Sequence, residues 1–92
     1  MEEIRTEQAI YTGHVQGVGF RYTVRTLARR HPVSGYVRNL DDGSVELVAR
    51  GAPGAINSLM ADVAEQFRGN IRGCQRREVT VAEPLSGFEI RF

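Results

Sequence analysis

A glycine-rich segment joins a strand-like stretch to a helix-like stretch near the start of this chain. The segment runs from Gly13 to Arg21 and reads GHVQGVGFR, with three glycines within its first seven residues. Residues 8–12 before it resemble a strand, and residues 22–30 after it have helical spacing. Glycine adopts the positive φ angles that a sharp turn requires. The sequence therefore predicts a strand that turns through glycines directly into the start of a helix.

Apolar patterns predict further elements along the rest of the chain. Residues 7–14 form the first predicted strand, and Pro32 should end the first helix at or before His31. The turn Asp41-Asp42-Gly43 is typical of a hairpin, and Pro53 lies near a predicted helix start. The apolar stripe of the first predicted helix consists of Phe20, Val24, Leu27, Ala28 and His31. The stripe of the second predicted helix consists of Ile56, Leu59, Met60, Val63, Ala64 and Phe67. Further strands are predicted at 36–40, at 45–49, at Val79 and Val81, and at 88–92.

This order of elements predicts an α+β fold. It is βαββαβ with a short fifth strand, a ferredoxin-like α/β sandwich in which two helices cover one face of a mainly antiparallel sheet. A chain of 92 residues is long enough for one modest hydrophobic core. We therefore expect a single domain over residues 1–92, with the other face of the sheet partly open to water.

The composition excludes several classes of function. All 12 cationic side chains are arginine, so Schiff-base chemistry and a P-loop lysine are excluded. The net charge of +1 argues against a nucleic-acid partner. The apolar runs are too short to span a membrane, and no secretory leader is recognisable. Cys74 has no second cysteine to pair with, which is consistent with a cytoplasmic location, and Cys74 and the two histidines lack metal-ligand spacing.

The glycine-rich turn also has the features of an anion-binding site. Backbone N–H groups at the start of a helix lack partners within the helix and carry partial positive charge. Arg21 lies at this first turn, where a cation opposes the helix dipole unless an anion is bound. The candidate anion-binding residues are Val15, Gln16, Gly17, Val18, Gly19, Phe20 and Arg21.

Simpler explanations exist for each of these residues. The glycines could serve only to permit the turn, and Arg21 could be a solvated helix residue. Asn39 could simply end a strand, and His14 could be an exposed residue at a strand end. The run is neither a dinucleotide-binding fingerprint nor a Walker loop, because the required glycine and lysine positions are missing.

Two motifs nevertheless resemble those of a known family. The segment from Gly13 to Arg21 matches every fixed position of the acylphosphatase signature Gly-x-Val-Gln-Gly-Val-x-Phe-Arg. Residues 35–45 resemble the second acylphosphatase signature, Gly51 follows in place, and residues 86–90 resemble the closing strand of that family. The resemblance extends from about residue 7 to the end of the chain, and only the link 31–34 is atypical.

The resemblance implies a function and a set of site residues. It implies hydrolysis of an acyl phosphate to a carboxylate and inorganic phosphate, with no metal or other cofactor. Arg21 and the loop amides would hold the phosphate, and Asn39 would position the attacking water. We expect a monomer for which inorganic phosphate or sulfate is a competing anion, and we expect no nucleic-acid or membrane partner.

A function from another class stays open at this point. The same loop could hold a small phosphorylated metabolite, such as carbamoyl phosphate, without turning it over. The residue that favours an enzyme is Asn39, because binding alone needs no group that positions water. A ferredoxin-like nucleic-acid-binding domain is disfavoured, since the chain lacks the aromatic RNP pattern.

Overall fold

A five-stranded sheet and two helices form the architecture of the chain. The computed structural model describes residues 3–92. The elements are β1 Arg5–Gly13, α1 Phe20–Ala28, β2 Ser34–Asn39, β3 Val45–Gly51, α2 Pro53–Gln66, β4 Ile71–Glu78 and β5 Phe88–Arg91. The strand order is β4-β1-β3-β2-β5, and all neighbouring pairs are antiparallel except β2 and β5. The predicted α+β class and βαββαβ order are confirmed.

Both helices bury most of the apolar stripe that their sequences predict, but Ala64 of the second stripe is exposed. The first helix ends at Ala28, which agrees with the predicted end at or before His31. His31 was predicted as part of the stripe but lies past this end, and its Nε2 is 2.7 Å from Oδ2 of Asp62 on α2. The second helix starts with Pro53 in its first turn, where the missing N–H has no cost.

The hydrophobic core lies between the two helices and one face of the sheet. Alternate positions of β1 and β3 point into it, as the period of two in a strand requires. Phe20, from the start of α1, is 2% exposed within this core. The strands contribute Ala9, Tyr11, Val37, Val45, Leu47, Ala49 and Phe88, and the helices contribute Phe20, Val24, Leu27, Ala28, Ile56, Leu59, Met60 and Val63.

The other face of the sheet carries a layer of hydrogen-bonded polar side chains. Glu46 is 5% exposed and accepts hydrogen bonds from Gln8 Nε2 and Arg38 Nε, each at 2.6 Å. The guanidinium of Arg91 lies 3.9 Å from the ring centroid of Tyr36. This face is therefore more closed to water than the sequence predicted, because long polar side chains cover it.

The prediction for the fourth strand was wrong in position. The strand β4 spans Ile71–Glu78 and ends just before Val79, while Val81 lies outside any strand. Nearly all residues of β4 are exposed, because it is an edge strand that pairs only with β1. Arginines and a glutamine replace the apolar alternation there, as is common at a sheet edge. The apolar alternation at Val79 and Val81 therefore does not mark the fourth strand.

None of the helices in residues 3–92 combines the length and apolar character needed to cross a membrane.

Gly35 lies where β2 comes very close to β3. A Cβ atom added at Gly35 would stand 1.8 Å from the backbone oxygen of Val48. We expect Gly35→Ala to lower the free energy of unfolding by more than about 2 kcal/mol, because the backbone itself must move. The matched control is Gly54→Ala on α2, where a Cβ meets nothing within 4 Å. Urea unfolding of both variants tests this, and equal stabilities would contradict the close approach.

Candidate active site

The glycine-rich loop occupies the short connection between β1 and α1. Gly17 and Gly19 have φ angles of 76° and 77°, in the left-handed region that favours glycine. Gly19 is the N-cap of α1 and has no side chain that could cap the first turn. A Cβ at either glycine would meet nothing within 4 Å, so backbone conformation, and not space, requires glycine here.

The backbone amides of this loop are unused donors within the part of the chain that the structure describes. The first hydrogen bond of α1 runs from the N–H of Thr23 to the carbonyl oxygen of Gly19, at 3.0 Å. Within residues 3–92, no carbonyl accepts a hydrogen bond from the amides of residues 15–22. Unused N–H groups at a helix start attract anions through their partial positive charge. The loop is therefore a preformed set of hydrogen-bond donors.

Buried side chains on either side hold the loop in place. Val15 is 1% exposed, and Phe20 is 2% exposed. The ring of Phe20 packs against Tyr11, with centroids 5.3 Å apart, and against Phe67, with centroids 4.6 Å apart. Val18 is partly buried against the same core. The apolar side chains of the motif thus anchor the loop, and its glycines lie on the exposed side.

The side chain of Gln16 ties the loop to the β2–β3 hairpin. Its Nε2 donates hydrogen bonds to the carbonyl oxygens of Leu40 and Ser44, both at 2.9 Å. The amide group of the side chain is therefore engaged within the protein, whereas the backbone N–H of Gln16 belongs to the unused donors. Since Leu40 directly follows Asn39, this contact fixes the loop relative to Asn39.

One cavity brings most of the predicted site residues together. It has a volume of about 110 Å³ and lies between the loop, the first turn of α1 and the end of β2. Gln16 and Val18 are not among its lining residues. Tyr22 also lines the cavity, although the sequence did not identify it as a site residue. Its position next to Arg21 is the one feature of the sequence that could have indicated this. The lining residues are Val15, Gly17, Gly19, Phe20, Arg21, Tyr22 and Asn39.

Arg21 brings an uncompensated positive charge to this cavity. Within residues 3–92, no carboxylate forms an ion pair with it, and the first turn of α1 contains no acidic residue. Its guanidinium lies 4.9 Å from the ring centroid of Phe92. A cation at a helix start is unfavourable by itself, so this placement is suited to a bound anion.

Asn39 lines the same cavity. It is the last residue of β2 and pairs with Val45 of β3. Its Oδ1 atom is buried and has no hydrogen-bond partner within the described part of the chain. A buried acceptor without a partner costs about 1–3 kcal/mol. The side chain of Asn39 therefore adds an unsatisfied polar group beside the loop.

The other polar residues that the sequence singled out do not line the cavity. Asp42 accepts hydrogen bonds from the hydroxyl and backbone N–H of Ser44, which lower the pKa of its carboxyl. Cys74 lies on the edge strand β4, and partial burial raises the pKa of its thiol. In residues 3–92 no group of three or more His, Cys, Asp or Glu could hold a metal ion. His14 is exposed just before the loop.

We expect Gln16→Glu to destabilise the loop, because its contact with the β2–β3 hairpin is lost. The carboxylate cannot donate to the carbonyls of Leu40 and Ser44, so the free energy of unfolding should fall by about 1–3 kcal/mol. Affinity for inorganic phosphate should fall as well, because the loop loses its contact with the hairpin. Urea unfolding and phosphate titration are the measurements. Gln75→Glu on exposed β4 is the control for the added charge, and equal effects of both changes would contradict this role.

The chain is similar to proteins of one family. A family model described as acylphosphatase matches residues 7–90. The acylphosphatase of Yersinia pseudotuberculosis serotype I (strain IP32953) is 45% identical over 78 residues, which cover 84% of this chain and 82% of that protein. A crystal structure of acylphosphatase from Bacillus subtilis has a TM-score of 0.83 and 30% identity, covering 98% of this chain and 100% of that one.

A larger protein contains a similar region. A crystal structure of T. kodakarensis HypF has a TM-score of 0.80 and 25% identity, covering 98% of this chain and 12% of that chain. The family model spans nearly all of the present sequence, and the first relatives match over most of their own length. The resemblance predicted from the two motifs is confirmed, and so is the predicted fold. The chain belongs to the acylphosphatase family.

Proposed function

We propose that this chain hydrolyses acyl phosphates to a carboxylate and inorganic phosphate. The supporting observation is one small cavity that combines unused loop amides, the uncompensated charge of Arg21 and the side chain of Asn39. Membership of the acylphosphatase family supports this choice of substrate class. The protein would act as one domain, a cytoplasmic monomer, with inorganic phosphate or sulfate as a competing anion and no nucleic-acid or membrane partner.

The phosphate group would be held by the loop and by Arg21. The amides of residues 15–20 and the planar guanidinium supply several donors around one point. These donors strengthen their hydrogen bonds as the equatorial phosphate oxygens gain charge during transfer. One such preorganised donor is worth about 3–4 kcal/mol of activation free energy in typical enzymes. Rate enhancement would therefore come chiefly from positioning and electrostatics.

The attacking water would be held by Asn39. The residue lines the cavity, and its side-chain amide can orient a water by donating or accepting a hydrogen bond. The water oxygen attacks phosphorus while the bond from phosphorus to the acyl oxygen breaks, and the carboxylate leaves with the electron pair. An amide cannot remove a proton at neutral pH, so the water proton would pass to a phosphate oxygen of the substrate.

The competing proposal is a binding module without turnover. A phosphorylated metabolite such as carbamoyl phosphate could occupy the same cavity, and the similarity to a segment of the larger HypF chain is consistent with this use. The presence of Asn39 in the cavity favours the enzyme, because binding alone needs no group that positions a water. An assay of turnover separates the two proposals.

The main test is turnover of acetyl phosphate with Arg21 replaced. We expect the protein to turn over the substrate equally well with and without EDTA, and Arg21→Ala to lower kcat/KM by at least about 100-fold. Arg21→Lys should recover less than about a tenth of the activity, because an ammonium cannot form two parallel hydrogen bonds. Arg30→Ala, at an exposed position beyond α1, is the matched control. Phosphate binding without turnover would favour the binding module, and loss on chelation would overturn the metal-free reaction.

Asn39 should affect the rate more than it affects anion binding. We expect Asn39→Ala to lower kcat by at least about 100-fold, as expected for loss of a group positioned to assist the reaction. The inhibition constant of inorganic phosphate should change less than about threefold, since the side chain is proposed to touch water and not the anion. Steady-state kinetics with phosphate as inhibitor measures both. Asn57→Ala on α2 is the control, since Asn57 contacts Arg76 and does not line the cavity. Equal losses in rate and affinity would place Asn39 among the phosphate ligands.

A further inference from the structure

Exposed aromatic side chains are concentrated at the mouth of the phosphate cavity. Within residues 3–92, the large hydrophobic residues with high exposure are Ile4 at 62%, Tyr22 at 57% and Phe92 at 96%. Tyr22 lines the cavity, and the ring of Phe92 lies against Arg21, which lines it too. An exposed apolar surface around a small polar cavity is typical of a binding site for a ligand with one polar and one apolar end.

The size of the cavity restricts what can enter it. Its volume of about 110 Å³ is well below the roughly 300–1,000 Å³ of pockets that enclose a whole small-molecule ligand. The acyl group of any substrate must therefore lie outside the cavity, at its mouth.

The direction of the reaction restricts where the acyl group lies. In an in-line displacement, the attacking water and the leaving carboxylate are on opposite sides of phosphorus. Asn39 belongs to the sheet side of the cavity, at the end of β2, and Tyr22 belongs to the helix side, in the first turn of α1. If Asn39 holds the water, the acyl group leaves on the helix side, next to Tyr22. This step rests on the proposed function.

The ring of Tyr22 is held in place by a neighbour on the helix. The guanidinium of Arg25 lies 5.3 Å from the ring centroid of Tyr22, within the range of a cation–π contact. Arg25 is three residues further along α1, on the same side of the helix. The contact limits the freedom of an otherwise exposed ring, which makes it a better surface for a flat ligand.

We propose that Tyr22 is the contact for the acyl group and selects flat, apolar acyl phosphates, with aromatic acyl groups favoured over small aliphatic ones. An aromatic acyl group would pack against the ring of Tyr22 while its phosphate is held by Arg21 and the loop amides. A small group such as acetyl is too short to cover the ring. Selectivity therefore comes from the ring and not from the phenolic hydroxyl, since stacking requires only the aromatic surface.

The test compares two ligands in the wild-type protein and in variants of Tyr22. Benzoylphosphonate and acetylphosphonate, which cannot be hydrolysed, are titrated by calorimetry, and kcat/KM is measured for benzoyl phosphate and acetyl phosphate. We expect Tyr22→Ala to lower the preference for the benzoyl compound about 3- to 30-fold in both measurements. Tyr22→Phe should keep the preference within about twofold. Affinity for inorganic phosphate should stay within about twofold in both variants.

Ile4→Ala is the matched control. It also removes an exposed apolar side chain, but Ile4 precedes the opposite end of β1 from the loop. A preference that is unchanged in Tyr22→Ala would overturn the proposal, as would a loss in Tyr22→Phe equal to that in Tyr22→Ala. The binding arm separates this inference from the reaction itself. Preferential binding of benzoylphosphonate that depends on Tyr22, without turnover of either acyl phosphate, would support the contact and contradict hydrolysis.

Discussion

The packing of Phe20 is the contact on which the site depends. Phe20 is the first residue of α1 and also the last apolar residue of the glycine-rich motif, and its ring packs between Tyr11 and Phe67. Burial of such a side chain stabilises a fold by about 1.5–3 kcal/mol. Because the buried ring fixes where the helix starts, it also fixes where the unused amides point. The hydrophobic core and the anion site are thus joined at one residue.

Polar groups at the site are less satisfied than the buried carboxylates elsewhere in the molecule. Glu46 is buried on the far face of the sheet and has two hydrogen-bond donors, and Glu7 is buried beside the guanidinium of Arg76. In residues 3–92, by contrast, the loop amides have no carbonyl acceptor, Arg21 has no carboxylate partner and Oδ1 of Asn39 has no donor. For the buried Oδ1 this lack of a partner is costly. The concentration of such groups in one place is the physical argument for a bound anion and water.

Much of the fold could be predicted because its patterns are local. The stripe of α2 and the hairpin at Asp42 are set by side-chain period and by turn chemistry between near neighbours. The misplaced strand shows the limit of this approach. Residues 71–78 form β4 only because the edge of β1 offers backbone partners, and an edge strand with exposed arginines has no apolar alternation to reveal it. The predicted stripe of α1 likewise extends to His31, which lies three residues past the observed end of the helix.

The sequence by itself determined the strand–turn–helix unit, its left-handed glycines and the family, because these depend on residue types at fixed short spacings. It also placed Arg21 at the first turn of the helix. Only the tertiary structure decided that the side chain of Gln16 contacts Leu40 and Ser44, that Oδ1 of Asn39 is buried without a partner, and that Tyr22 lines the cavity. These features join segments that are more than 15 residues apart along the chain. Their geometry depends on how β2 and β3 pack beside the loop, and no local pattern encodes that packing.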